Sequence, residues 1–404
     1  MKKFFISLTT LLFLYLPLFS EDEGVLFQFK QHKGDSTSHV AEVVEEAYLN
    51  GVLNNHTQFI NRMTTTIEEE FEDGSAQLKT NYMTTQNSLV SGSDKYLTWG
   101  DESTVHIKRN KNGQLYDSDT EGLPTVRGVP SFPNKKVVVG ERWKMRGEEV
   151  HDCRALFQMD EFIRVPFTAD YTYTGTYEEN GVTYDVIDVY YTFNQSNFNN
   201  RIYRNGSFRS IMGEAAQTIY WDREKSDLAH YDEQFQIEML DIYGNSYYFT
   251  GVSGGDVTEY HSMNTDEQVQ KLIDTVESYE LEDVTVSKGE KGLTISLENI
   301  QFEPDSDILL KSEQIKLQKL GQILKTVSND LLITGHCAHR GTENARQALS
   351  EDRAECVADF LVGEGVRDKY HIFTQGKGSR EPIATNETEE GRRKNRRVEI
   401  TIMD

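Results

Sequence analysis

The chain contains little that would support a disulfide framework, a membrane-spanning helix or a nucleic-acid interface. It has 404 residues, enough for two or three domains, but only three cysteines, and an odd number leaves at least one thiol free in a monomer. Its 42 Lys and Arg residues are outnumbered by 66 Asp and Glu residues, so we expect neither nucleic acid nor an anionic lipid surface as a partner. Beyond the N-terminus, no apolar run is long enough for a transmembrane helix.

The N-terminus is typical of a secretory signal peptide. Lys2 and Lys3 precede an apolar stretch over residues 4–19, which is short for a membrane span, and the small Ser20 follows. We therefore expect residues 1–20 to direct export and the mature protein to lie in the periplasm, with association with the outer membrane left open. An uncleaved N-terminal anchor is the alternative.

Residues 21–262 are predicted to be mainly antiparallel β. Apolar residues alternate along 165–173, and the Asn180-Gly181 pair is typical of a tight hairpin before the alternating segment 184–191. A helix is predicted around residues 40–53. We expect a curved sheet or half-barrel.

Pro130, Pro133 and Gly140 indicate a connection inside this β-rich region, which would then consist of modules over 21–128 and 129–262. One module or two are both compatible with the pattern. A concave sheet of this kind could hold an apolar ligand or another envelope protein, and that expectation is an analogy of fold alone.

The remainder of the chain is built differently. Residues 263–283 are predicted to be a helical linker, because apolar residues recur at helical spacing from Val269 to Val276. From 284 to 404, strands and helices alternate in the order β-α-β-α-β-β, which indicates an α+β sandwich with helices on one face of a sheet. Most of the excess of acidic residues lies before residue 284. The chain is therefore predicted to be multidomain.

Short motifs follow one another in a fixed order within this last segment. They are Ile300-Gln-Phe302, Thr334-Gly-His336, Leu349-Ser350, Arg353-Ala354, Gly376-x-Gly378, Pro382-Ile-Ala384 and Asn395-Arg-Arg-Val398. In both order and spacing, residues 284–404 resemble the OmpA-like family. The resemblance implies an α+β fold that associates with peptidoglycan.

The resemblance also implies a ligand, the diamino acid of a peptidoglycan stem peptide. Family members place an aspartate against its ammonium group and an arginine against its carboxylate, an arrangement that suits a zwitterion. Arg353 matches the arginine, whereas Ala338 and Arg346 stand where the family has aspartate and asparagine. Loss of one charge-assisted partner costs about 1.5–3 kcal/mol, or about ten- to a hundredfold in affinity. We therefore expect this domain to bind the stem peptide more weakly, or to bind a stem peptide of different composition.

The resemblance further assigns Phe302, Asn386, Arg392 and Arg396 to the peptidoglycan-binding surface. The basic run at 392–397 has a second interpretation, in which its arginines pair with the acids at 387–390 of the preceding loop. Arg353 likewise could pair with the adjacent Glu351 or Asp352.

Motifs for catalysis and for cofactors are absent from the sequence. It contains no phosphate-binding loop, nucleophile elbow or His-Glu-x-x-His pattern, so we expect no enzyme and no cofactor. His336, Cys337 and His339 are too close together for a standard zinc site, so no metal is expected. A bond between Cys337 and Cys356 is not expected either, because helical spacing separates them by about 18 Å.

Three functions remain open from the sequence. The first is an exported cell-envelope protein whose OmpA-like domain associates with peptidoglycan and tethers a β-rich interaction domain. The second is a divergent scaffold that has lost peptidoglycan binding and contacts other envelope proteins. The third is an outer-membrane β-barrel joined to a wall anchor, for which the candidate lipid-facing rows are short and interrupted by charge.

Overall fold

The computed structural model describes most of the chain in two interlocking parts. The described residues are 24–89, 97–196, 206–258, 266–279, 281, 283–289, 291–298, 300, 309–327, 329–369 and 371–403. The predicted signal peptide at 1–20 and Phe302 lie outside these residues. No helix in the described ranges is long and apolar enough to cross a membrane.

The strands and helices follow in chain order. They are β1 (Ser36–Leu49), β2 (Val52–Glu70), β3 (Ala76–Ser88), β4 (Leu97–Thr98), β5 (Asp101–Arg109), β6 (Leu115–Tyr116), β7 (Val126–Arg127), β8 (Arg142–His151), α1 (Arg154–Phe157), β9 (Ile163–Glu179), β10 (Val182–Ser196), β11 (Phe208–Asp222), β12 (Asp227–Asp241), β13 (Ser246–Thr258), α2 (Asp266–Ser278), β14 (Val284–Gly289), β15 (Gly292–Glu298), α3 (Lys311–Leu324), β16 (Leu331–Gly335), α4 (Glu343–Gly363), β17 (Ile372–Gly376), α5 (Glu389–Asn395) and β18 (Arg397–Met403).

Twelve strands form one antiparallel sheet in the order β6-β5-β3-β2-β1-β13-β12-β11-β10-β9-β8-β7. The pairing of β1 with β13 joins strands from before and after residue 129, so both segments contribute to a single sheet. The alternation predicted for 165–173 is confirmed, because every second residue of β9 from Ile163 to Tyr173 is buried. The predicted hairpin at Asn180-Gly181 is also confirmed, with φ values of 52° and 82°.

The sheet curves until its two edges approach each other. The side chain of Gln114, beside β6, donates to the main-chain oxygen of Arg146 in β8 at 3.0 Å. The predicted curved sheet is therefore confirmed as a nearly closed one. Aromatic residues fill part of its interior, and Phe27 from the segment before β1 stacks on Phe132 with ring centroids 5.3 Å apart.

The helix predicted around residues 40–53 is wrong. This segment contains most of β1, a two-residue turn and the start of β2. Asn50 and Gly51 have φ values of 52° and 78°, which suit a tight hairpin and not a helix. β1 is paired along its length with β2 on one side and β13 on the other, and this tertiary pairing outweighs the local helix tendency of its Glu-rich sequence.

The C-terminal part is an α+β sandwich, as predicted. Its sheet has the order β14-β15-β18-β16-β17, with β4 added at the end. One buried cluster joins α3, α4 and the sheet, and Leu272 and Val276 of α2 belong to the same cluster. The predicted helix α2 is thus confirmed and packs into this core. The sequence analysis did not predict β14. It also predicted a loop before the last strand, where the structure has α5.

The opposite face of this smaller sheet packs against the outside of the larger one. Leu332, Phe373 and Met403 form a buried cluster with Ile60 on β2 and Met83 on β3. Burial on both faces explains why all five residues of β16 are buried.

Two further contacts join the parts. The short β4, which precedes β5 in the chain, pairs in parallel with β17 and covers its edge, and the main-chain N–H of Trp99 donates to Thr374 O at 2.8 Å. The Arg62 side chain donates to Asp330 Oδ2 at 2.5 Å, and both side chains are buried. A hydrogen bond of 2.8 Å links the same aspartate to His371 Nδ1.

Candidate functional site

Of the residues predicted to bind ligand, those that the structure describes lie around the loop at 336–342, which connects β16 to α4. Close packing at the ends of β16 and β17 brings α4 to this position. A Cβ atom on Gly335 would lie 2.0 Å from Ser350 O, and one on Gly376 would lie 2.7 Å from Ser350 Oγ. The Ser350 hydroxyl accepts a hydrogen bond from Gly378 N at 2.9 Å. The contacts of Ser350 with these glycines therefore hold α4 against the ends of both strands.

Two asparagines hold the loop from its other side. Asn386 Oδ1 accepts hydrogen bonds from His339 N and from Asn395 Nδ2, both at 3.0 Å. Asn395 is buried and also accepts from Ile383 N at 2.9 Å. The structure thus gives Asn386 a role in positioning the loop.

Arg353 projects from α4 toward the thiol of Cys337. Its Nη1 atom lies 4.0 Å from Cys337 Sγ, and the guanidinium is partly buried. Burial lowers the pKa of Arg353, Cys337 opposes this shift, and the charge of Arg396 adds to it. Arg353 and Arg396 therefore lie close enough to repel each other. The sequence interpretation that paired Arg353 with Glu351 or Asp352 did not anticipate this contact with Cys337.

Arg346 occupies the first turn region of α4, on the same side as Cys337. Its Nη1 atom donates to Gly341 O at 2.5 Å, and its main-chain oxygen lies 3.5 Å from Cys337 Sγ. Its Nε atom is buried and has no hydrogen-bond acceptor among the described residues. Burial raises the pKa of the Cys337 thiol, although Arg353 and Arg346 oppose the shift. The thiol is thus flanked by two guanidinium groups.

Ala338, next to Cys337, is 8% exposed and presents a methyl group where the family's aspartate would stand. Its main-chain oxygen accepts from Arg340 N at 2.8 Å. Arg346, Arg353 and Arg396 give the surroundings of Cys337 a positive charge. The arrangement can hold a carboxylate or another anion, but its side chains offer no carboxylate to an ammonium group at position 338.

Two arginines of the basic run at 392–397 pair with an acid of the preceding segment. Arg392 and Arg396 form ion pairs with Glu389 at 2.9 and 2.7 Å, which confirms for these two residues the interpretation that paired the run with the preceding acids. Arg393 pairs instead with Asp283 at 3.0 Å. Arg392 also donates to the main-chain oxygens of Asn386 and Glu387 at 2.9 and 3.0 Å. Arg396 borders the site around Cys337, whereas Arg392 stabilises the segment that contains Asn386 and Glu387.

His336 and Glu399 form a buried contact that the sequence did not indicate. His336 Nε2 lies 3.4 Å from Glu399 Oε2, and Arg397 Nε donates to Glu399 Oε1 at 2.7 Å. Burial alone would raise the pKa of Glu399, but His336 and Arg397 outweigh it and lower the pKa to about 2. The contact fixes the end of β16 against β18 beneath the loop. The alternation of β18 could have placed Glu399 beside His336 only once the strand order was known.

Comparison with known proteins identifies the class that this fold and loop define. A profile of the OmpA family matches residues 301–396. A peptidoglycan-binding protein of Mycobacterium tuberculosis, ArfA, is 41% identical over 104 residues, which is 26% of this chain and 32% of that protein. The putative lipoprotein YfiB of Escherichia coli is 33% identical over 119 residues, which is 29% of this chain and 74% of that protein.

An outer membrane protein of Borrelia burgdorferi is similar to this chain in solved structure. The two share 34% identity over 30% of this chain and 97% of that one, with a TM-score of 0.25. The chain spans about a third of the length of ArfA and 53% of outer membrane protein A of Bordetella avium. Through its C-terminal part, the chain belongs to the OmpA family.

Proposed function

We propose that the protein is an exported envelope protein that associates with peptidoglycan through its OmpA-like part and holds the twelve-stranded sheet beside the wall. The observation that carries this proposal is the position of Arg353, which lies at the loop between β16 and α4 beside Cys337. Membership of the family and the peptidoglycan binding named for ArfA support it.

The ligand group that suits this site is a carboxylate. Arg353 supplies the cation that a stem-peptide carboxylate requires, and Arg346 and Arg396 add positive charge nearby. Ala338 offers no partner to an ammonium group, and Arg346 would repel one. We therefore expect the site to prefer a stem-peptide carboxylate without a neighbouring ammonium, and its affinity to fall with rising salt.

The experiment is cosedimentation of the full mature chain with purified sacculi. A fragment of residues 284–404 is unsuitable, because removal of the larger sheet would expose Leu332, Phe373 and Met403. We expect the wild type to sediment with sacculi and Arg353→Gln to bind about tenfold less tightly or weaker still. Arg142→Gln, an exposed change on β8, is the matched control and should bind as the wild type does.

Ala338→Asp tests the missing carboxylate directly. On sacculi whose stems contain a diamino acid, the variant should bind about tenfold more tightly than the wild type. If the wild type, Arg353→Gln and Arg142→Gln all sediment alike, the arginine site is not responsible for binding. If neither the wild type nor Ala338→Asp sediments above a control protein, the scaffold alternative replaces this proposal.

A further inference from the structure

The twelve-stranded sheet contains a cavity that is separate from the OmpA-like site. Its volume is about 940 Å³, and it opens at the end of the sheet where the turns at 179–182 and 222–227 lie. A volume of this size is typical of sites for small molecules. Its lining includes Arg109 and His39, Tyr177 and Lys225 toward the rim, and five carboxylates, among them Asp227.

Arg109 points into this cavity from β5. Its Nε atom donates to Gln31 Oε1 at 2.9 Å, and the guanidinium carbon lies 3.9 Å from the centre of the Phe29 ring. Among the residues that the structure describes, no carboxylate forms an ion pair with it within 4.0 Å. Burial lowers the pKa of Arg109, and the more distant Asp227 only partly opposes the shift.

His39 reaches the same space from β1. No hydrogen bond joins its ring to another residue within the described ranges. Burial lowers the pKa of His39; Asp227 raises it and Arg109 lowers it. The imidazole is therefore neutral at pH 7, so it can donate one hydrogen bond without adding charge.

A partly buried guanidinium without an ion-pair partner loses part of its hydration and gains no counter-charge in return. Phe29 and Gln31 position the group but do not neutralise it. A ligand anion in the cavity would supply the missing partner, and His39 could donate a further hydrogen bond to it.

We propose that this cavity binds a small molecule through a carboxylate or phosphate group held by Arg109. Arg109 makes the ion pair, His39 donates to the same anion, and the Tyr177 side of the rim contacts the rest of the molecule. The inference does not depend on peptidoglycan binding, because the OmpA-like site contributes no residue to the cavity.

The test uses the full mature chain with acetate and inorganic phosphate as separate probes, at constant ionic strength against chloride. Binding to the folded state should raise the Tm of the wild type by mass action. Arg109→Met keeps the stacking on Phe29 and removes the charge, so its Tm without added anion should equal or exceed that of the wild type. Its affinity for the effective probe should fall about tenfold or more.

Arg142→Met on β8 is the matched control, since this arginine is exposed. Its Tm should rise with added anion as much as that of the wild type. General salting effects of phosphate act on all variants alike, so the difference between Arg109→Met and the wild type isolates the site.

The acetate and phosphate arms decide which anion the cavity prefers. If Arg109→Met shows the same shift as the wild type with both probes, or if neither probe shifts the wild type, the proposal is overturned. Should Arg109→Met fail to fold, His39→Gln serves as the second variant, and an unchanged shift there would overturn the proposal equally.

Discussion

Arg62 on the twelve-stranded sheet and Asp330, immediately before β16, form a buried ion pair of 2.5 Å between residues 268 positions apart in the chain. Each side chain is only 4% exposed. The other carboxylate oxygen accepts a hydrogen bond from His371 Nδ1 at 2.8 Å. The pair therefore joins the two parts of the protein at a place where water cannot replace either partner.

Asp330→Asn should weaken this junction. The change removes the negative charge that Asp330 supplies to the buried Arg62 guanidinium, so the free energy of unfolding should fall by about 3–5 kcal/mol. Urea denaturation measures the change. Asp170→Asn is the control, because Asp170 forms an exposed pair with Lys144, and this change should alter stability by about 0.5 kcal/mol or less. Equal effects of the two substitutions would contradict the structural role of the buried pair.

Gly335→Ala should destabilise the loop site. The added methyl would lie 2.0 Å from Ser350 O, a main-chain atom that cannot move without displacing α4. We expect a loss of about 1–3 kcal/mol or more in the free energy of unfolding. Gly363→Ala, at the end of the same helix, meets no atom within 4 Å and should stabilise the protein by up to about 1 kcal/mol. Chemical denaturation of both variants should therefore give changes of opposite sign.

The stability of the protein should depend on Glu399 in acid. Its folded-state pKa of about 2 lies below the unfolded value of about 4.3. Its contribution is present above pH about 4.3 and is lost as the pH falls toward 2. Glu399→Gln should remove a contribution on the order of 2–3 kcal/mol, which would flatten the stability profile between these pH values. A profile parallel to that of the wild type would show that Glu399 is not the titrating group.

The thiol of Cys153 should be unreactive in the folded protein. Burial raises its pKa to about 12, with a smaller contribution from Asp152. At pH 8 the thiolate is then about a thousandfold rarer than for a free cysteine of pKa about 8.5, and alkylation should slow accordingly. Mass spectrometry of alkylated peptides can compare this rate with that of the denatured chain. Labelling at the same rate in both states would contradict burial of the thiol.

The sequence by itself determined features that depend on neighbours along the chain. Alternation predicted β9, the Asn180-Gly181 pair predicted its turn, and helical spacing predicted α2, because these patterns record which face of a single element is buried. The order of motifs from Thr334 onward also determined the OmpA-like fold. It also matched Arg353 to the family's arginine and placed Ala338 where the family has aspartate.

Only the tertiary structure decided how these elements meet. The short β4 covers the edge of β17, Arg62 pairs with Asp330, and Arg109 faces a cavity with no counter-charge within 4 Å in the described part of the chain. Each relationship joins residues far apart in sequence, so no local periodicity records it. The predicted helix at 40–53 failed for the same reason: pairing with strands on both sides outweighed the preference of the segment alone.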